Sequence, residues 1–566
     1  MILTLILLTT LHLHLSTCAV KVKTSQGTVL GIRKETVFDK RLYYAFYEIP
    51  FARAPIGRLR FKDPRPLKTF KIPYEGDTNY YSPCAQPHIV HSTRVSGGED
   101  CLYLNVYTPA LPRAHQPTLP VLVFYHGYAF TSSFSHIYGP DFLIDNGIVH
   151  VTVNYRVGVF GFSKLNASDT HANMGLKDMV MSLKWIKSNI ARFGGDEAKV
   201  TVMGTGSAAA LLSVLLTTRA RTLFSKMILH SGSMFAPSLF LGDRLAETEL
   251  FKQNLRKLLG NLEIKTLTMD IIRSSQNIYK HKDTVDVQRP LVPFTLHLER
   301  GSNKSLVTRT PSDFYRRGLH KPITTPVLIG YNTQESLSEV IPFLRKPNLL
   351  GTITSDFKFM VPFDDGCRYK HTHPRYKEIA NKILNHYFKG GLNEKSIYNF
   401  MRYTSDLLKY PVLKFIKAHL LSTSTMFVYK FNYNGFFNAV KRNSLGDIKL
   451  KVRGAASGDE LCYLFRCEPM SEYYPKLQGN ETDARIMREM ASMWSNFVKE
   501  GDPTPARHPG PAWPSVTPAM DHVMFISKTS RLVELRRELV MLKFWNDLYA
   551  DYYCEEKCNR QDKDEL

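Results

Sequence analysis

Residues 204–208 read Gly204-Thr205-Gly206-Ser207-Ala208 and sit between the β-rich run Val200-Thr201-Val202-Met203 and the small residues Ala209 and Ala210. The apolar run 211–216 follows with helical character. A strand that turns sharply into a helix through small residues is the place where a serine hydroxyl is exposed for acyl transfer, in the spacing Gly-x-Ser-x-Gly. Here the first glycine is kept as Gly204, the tip is Gly206, and the last glycine is Ala208. The corner is therefore built for a nucleophile that it lacks. Ser207 stands one position late, and successive side chains on a sharp turn point in different directions, so a shifted nucleophile is the weaker reading.

The elements that must hold this corner can be followed along the chain. Short β-rich runs occupy 21–24, 28–32, 43–49 and 101–109, and two strongly apolar runs, 120–125 and 148–154, have the near-continuous character of strands covered on both faces. Between 175 and 194, Leu176, Val180, Leu183, Ile186 and Ile190 recur at helical spacing, and Gly194-Gly195 ends the helix. The corner strand 199–203, a strand at 226–230, a helix at 245–259 and a strand at 326–329 continue the alternation. This order predicts a large, mostly parallel α/β sheet with helices on both faces.

Residues 1–19 combine an apolar segment with the small-residue stretch Ser16-Thr17-Cys18-Ala19 and read as a cleaved signal peptide, although a basic n-region is missing. The last four residues, Lys563, Asp564, Glu565 and Leu566, form the retrieval signal of soluble endoplasmic-reticulum proteins, which is an address rather than an anchor. The expected location is the endoplasmic-reticulum lumen, with secretion as the alternative. Sequons at Asn166, Asn303 and Asn480 agree with lumenal passage as glycosylation sites. No later run approaches the ~18 apolar residues of a membrane helix, so no transmembrane segment is expected.

Lys and Arg outnumber Asp and Glu by 74 to 51, for a formal charge of +23, and 43% of residues are hydrophobic, enough for a large core. A lumenal chain does not meet nucleic acid, and no nucleic-acid motif is present. The charge suits anionic head groups, sulfated glycans or acidic clients, or is simply a solvated surface. Of eight cysteines, Cys18 leaves with the signal peptide. Cys84 with Cys101 is the first disulfide expected, closing a loop worth about 3 kcal/mol in the chain-entropy model. Cys462 with Cys467 and Cys554 with Cys558 are local candidates that leave Cys367 over. Neither a zinc spacing nor a cofactor motif appears, so no metal and no cofactor are expected.

Several long motifs then carry a family resemblance. Ser82-Pro83-Cys84 with Glu99-Asp100-Cys101-Leu102-Tyr103-Leu104-Asn105-Val106, Tyr138-Gly139-Pro140-Asp141-Phe142-Leu143, Asn154-Tyr155-Arg156-Val157-Gly158-Val159-Phe160-Gly161-Phe162, Asn173-Met174-Gly175-Leu176-Lys177-Asp178, Phe193-Gly194-Gly195-Asp196, His230-Ser231-Gly232-Ser233, Trp494-Ser495-Asn496-Phe497 and Gly501-Asp502-Pro503 occur in one order. Together they resemble the type-B carboxylesterases, most of all the insect-esterase and cholinesterase branch. The resemblance covers residues 20–545, leaving 546–566 as a tail. It implies one α/β-hydrolase domain with a deep gorge, and it makes Cys84–Cys101 the family's first disulfide.

The resemblance also assigns positions. It puts the nucleophile at Gly206 and the acid at Glu335, in Ile329-Gly330-Tyr331-Asn332-Thr333-Gln334-Glu335-Ser336. The base falls on Ser457, directly before Gly458-Asp459-Glu460-Leu461. The oxyanion amides fall on Gly127, Tyr128, Ala129 and Ser207, where His126-Gly127-Tyr128-Ala129-Phe130 replaces the usual His-Gly-Gly-Gly-Phe. Tyr128 is expected to crowd the place of a substrate carbonyl. Loss of the serine or the histidine alone costs about 10⁶ in turnover, or roughly 8 kcal/mol of transition-state stabilisation, and here both are replaced. His126, His136 and His230 are expected to be structural. Glu335, buried without an imidazolium partner, is expected to hold its proton beside Ser457.

The expectation is a catalytically inactive carboxylesterase-like protein that binds a hydrophobic small molecule or a secretory client. It resembles the non-catalytic neuroligin, neurotactin, gliotactin and glutactin types, most of which carry a membrane segment after the domain. A receptor for the retrieval signal is the other expected partner. An active ester hydrolase with displaced groups and a secreted adhesion protein are the alternatives.

Overall fold

The computed structural model describes residues 20–553 except 77–82, 88–93, 166–171, 237–238, 240–244, 260–266, 277, 280–291, 300–303, 317–322, 354–360, 363–368, 390, 423, 478–480 and 519–521. The signal segment, the sequon asparagines Asn166, Asn303 and Asn480, Cys367, Cys554, Cys558 and residues 563–566 lie outside the described residues.

One large sheet organises the chain. Its strands are β1 (Val20–Lys23), β2 (Thr28–Glu35), β3 (Leu42–Pro50), β4 (Tyr103–Thr108), β5 (Leu119–Tyr125), β6 (Val149–Val153), β7 (Gly195–Thr205), β8 (Lys226–His230), β9 (Val327–Asn332), β10 (Met426–Phe431), β11 (His522–Ile526) and β12 (Arg531–Glu534). They lie side by side in the order β1-β2-β3-β4-β6-β5-β7-β8-β9-β10-β11-β12, and the short strand Tyr74–Glu75 pairs with β2. From β6 through β11 every pair is parallel, while antiparallel pairs close both ends. This is the α/β-hydrolase arrangement that the sequence predicts.

Both faces of the parallel region are buried, which explains why its strands show no alternation. Along β5, Val121, Val123 and Tyr125 join one core while Leu122 and Phe124 join the other. Residues pointing to opposite faces thus both leave water. Helix α1 (Met174–Asn189) covers one face and runs into a 3₁₀ turn before Gly194, which takes a left-handed φ of 84°. Helix α2 (Ser207–Leu215) starts at the corner itself, four residues ahead of the apolar run that announces it. Further on lie α3 (Leu337–Arg345), α4 (Ile397–His419), α5 (Ala439–Leu445) and α6 (Glu481–Glu500). The disulfides Cys84–Cys101 and Cys462–Cys467 are both formed.

Candidate functional site

The corner keeps the backbone of a nucleophile turn. Gly206 follows β7 and caps α2 with φ 55° and ψ −123°, a conformation that is essentially restricted to glycine unless the fold enforces it. Its N–H donates to the His230 carbonyl at the end of β8 (2.8 Å), and its carbonyl accepts from Ala210 N–H (3.2 Å). Gly232 packs beneath, where a Cβ would stand 2.1 Å from the Gly206 carbonyl oxygen. The turn is clamped between two strands and a helix.

The space beside the tip is occupied by main chain. A Cβ on Gly206 would fall 2.4 Å from the Gly127 carbonyl oxygen. That same carbonyl accepts the Ser207 N–H at 3.2 Å, and Tyr128 N–H donates to Ser132 O at 2.9 Å. Two of the amides assigned to an oxyanion are therefore already hydrogen-bonded inside the protein. Ala129 and Phe130 both take left-handed φ values, 48° and 60°, as the segment turns back. The group that stands beside the tip is the Gly127 carbonyl, not the Tyr128 side chain. Tyr128 itself is 49% exposed and donates from its hydroxyl to Glu339 Oε1 of α3 (3.2 Å). Ser207 is only 7% exposed, with its Oγ turned toward Gly127 and Tyr155 inside the fold.

Glu335 and Ser457 do come together. Glu335 follows β9, is 2% exposed, and its Oε1 accepts from Asn332 N–H and from Ser231 Oγ, each at 2.6 Å. The 455–459 turn is held alongside by Gln334 N–H donating to Ala455 O (2.9 Å), which leaves Ser457 half-buried within hydrogen-bonding reach of the carboxyl. Burial pushes the Glu335 carboxyl up to about 7, against the hydrogen bonds from Ser231, Asn332 and Ser457, and the Glu460 carboxylate adds to the rise. Ser231 adjoins His230, whose carbonyl holds Gly206, so a single residue step links the corner to the carboxyl.

A second buried network lies behind the first. His230 Nε2 accepts from Trp494 Nε1 (3.0 Å), and its Nδ1 lies 3.0 Å from Glu460 Oε1 and 2.6 Å from Tyr429 Oη. Asn332 Nδ2 donates to Glu460 Oε2 at 2.7 Å. Both ring nitrogens of His230 are thereby engaged. His126 Nδ1 accepts Phe134 N–H (3.2 Å), and burial holds that imidazole neutral, down to about 3. His136 is likewise lowered, to about 4. Buried Asp459 is pushed up to about 7 by burial and accepts Lys441 N–H and Ala456 N–H at 3.0 and 2.7 Å. Ser231 and Glu460 stand inside the motifs His230-Ser231-Gly232-Ser233 and Gly458-Asp459-Glu460-Leu461, which assign them no role. Their side-chain partners come from strands far apart in the chain, so no local spacing announces them.

A cavity of about 840 Å³ opens beside Thr131, between Gly158, Val159, Ile272, Ile278 and Phe294. Gly206, Glu335 and Ser457 are not among the residues that line it. Among the described residues, no group of three or more His, Cys, Asp or Glu side chains is placed to hold a metal ion, and no helix is long and apolar enough to cross a membrane.

The model of the carboxylesterase family matches residues 19–545. Juvenile hormone esterase of Tribolium castaneum is 27% identical over 529 residues, covering 86% of this chain and 84% of that protein. Neuroligin-like protein glit-1 of Caenorhabditis elegans is 29% identical over 424 residues, covering 69% of this chain and 56% of its own length. Among solved structures, juvenile hormone esterase from Manduca sexta, with OTFP covalently attached, superposes with a TM-score of 0.79 at 24% identity, over 94% of this chain and 100% of that one.

Proposed function

This chain belongs to the carboxylesterase family, and from that premise we propose that it is a non-catalytic member which binds a ligand or client and does not turn over esters. The observation that carries the reading is the Gly127 carbonyl. It stands 2.4 Å from where a Cβ on Gly206 would be and accepts the Ser207 amide. Acyl transfer needs a nucleophile, a base and donors aimed at the oxyanion. Here the first two positions hold Gly206 and Ser457, and the donors at Tyr128 and Ser207 are spent on the protein's own carbonyls.

The bound partner in this reading is a hydrophobic small molecule or a secretory client. The site of action is the endoplasmic-reticulum lumen, addressed by residues 563–566 through the retrieval receptor. Purified protein with a short-chain ester should release product no faster than a heat-denatured control. Turnover that follows the folded protein through purification would make it an enzyme. Removal of residues 563–566 should send the chain to the medium; unchanged retention would defeat the assignment of the address.

A further inference from the structure

The stretch Asp447-Ile448-Lys449-Leu450-Lys451-Val452-Arg453 alternates apolar and charged residues with the period of two that belongs to a half-buried strand. Burial follows the pattern: Ile448, Leu450 and Val452 pack against the main core, whereas Lys449, Lys451 and Arg453 are exposed. Pairing does not follow it. Among the described residues no strand runs beside this segment, and it belongs to no sheet.

The segment has two edges, and they differ. Ile448 N–H donates to Leu445 O at 2.8 Å, and Lys441 Nζ donates to Val452 O at 2.5 Å, so one edge lies against α5. In an extended chain the main-chain groups of alternate residues point to opposite sides. The other edge therefore presents the N–H and C=O groups of Lys449, Lys451 and Arg453, which bond to no group among the described residues. The side chains of these three residues also make no ion pair there.

We propose that this edge binds an extended polypeptide segment with acidic side chains at alternate positions, added as a further strand. Side chains two residues apart on a strand stand about 7 Å apart, so the three cations match alternate carboxylates of a partner strand one for one. Lysines on an open edge work against pairing with a second copy of this chain, because like charges would meet, and leave an acidic strand as the matching one. Arg442, in α5 immediately before the stripe, stacks its guanidinium 4.1 Å from the centre of the half-exposed Phe436 ring and extends the cationic surface. The formal charge of +23 draws acidic segments in from a distance. This binding does not depend on whether the corner at Gly206 turns over esters.

Fluorescence anisotropy on the full chain tests the proposal with a short labelled peptide alternating Glu and Val. The peptide should bind, and binding should weaken by about tenfold or more in high salt and in the triple variant Lys449→Glu, Lys451→Glu, Arg453→Glu. The same peptide N-methylated on the amides that would join the ladder keeps its charges and should lose binding; this arm needs no protein variant. Equal binding of the N-methylated peptide, or competition by a sulfated polysaccharide with the peptide's register immaterial, would overturn strand addition and leave a general anion surface. Absence of binding by the alternating peptide would overturn it outright.

Discussion

Glu335 holds a proton near neutrality because a carboxylate there would be buried, next to Glu460, and the hydrogen bonds from Ser231, Asn332 and Ser457 do not offset that burial. Its folded value of about 7 lies above the ordinary 4.5, so the folded state binds this proton more tightly than the unfolded one. The stabilisation is complete below about pH 4.5 and is lost as pH rises through 7. Glu335→Gln keeps an acceptor for Asn332 N–H and removes that loss. Denaturant titrations at pH 5 and pH 9 should show the variant gaining up to about 3 kcal/mol on the wild type between the two. A constant difference would mean that Glu335 titrates normally. At the same scale, Ser457 was legible as the residue standing where a base belongs, and Glu335 as the intact acid. The Gly127 carbonyl was not, because the orientation of one peptide plane leaves no mark on residue type.

At the scale of elements, the corner depends on strands and helix meeting at close range. A methyl on Gly232 would stand 2.1 Å from the Gly206 carbonyl oxygen, and neither backbone can move without shifting β7 or α2. Gly232→Ala should therefore cost about 3 kcal/mol, read as a lowered urea midpoint; an unchanged midpoint would mean that the corner is soft. The strands β5, β6 and β7 were readable as apolar runs, although not their faces, since both are buried. The start of α2 was not, because its first residues are small and only the corner defines them. Helix α4 runs through Pro411, a residue that breaks helices by local rules, and is carried by its packing against α3 and the sheet. The 447–453 stretch fails the opposite way: it has a strand's alternation and no neighbouring strand, something no local pattern can register.

For the whole molecule, two sets of buried groups oppose each other. His126, His136, His150 and His419 have folded values of about 3 to 4, below the ordinary 6.5, so each destabilises the fold as pH drops below 6.5 and the unfolded chain takes up protons. Glu335 and Asp459, each raised to about 7, destabilise it as pH rises through that value. Together these groups place the most stable condition close to about pH 7. Melting temperatures should fall as pH drops below about 6.5, where four histidine penalties outweigh two carboxyl gains, and level off above about pH 7; a steady rise toward acid would mean that the histidines are accessible and titrate freely. The order of elements, the Cys84–Cys101 disulfide and the family were legible from motif order, and Cys462–Cys467 from the short spacing of its cysteines. The long-range networks around His230 and Glu335 were not, because each joins residues more than a hundred positions apart.

The most direct test of the loss of acyl chemistry is intact-mass analysis after incubation with a fluorophosphonate that captures activated serines. The natural chain should gain no adduct. Gly206→Ser with Ser457→His should also stay unlabelled, because the Gly127 carbonyl and the committed amides remain. A stoichiometric adduct on the natural chain, mapped to Ser207 or any other residue, would contradict the account and make the protein a hydrolase with a relocated nucleophile.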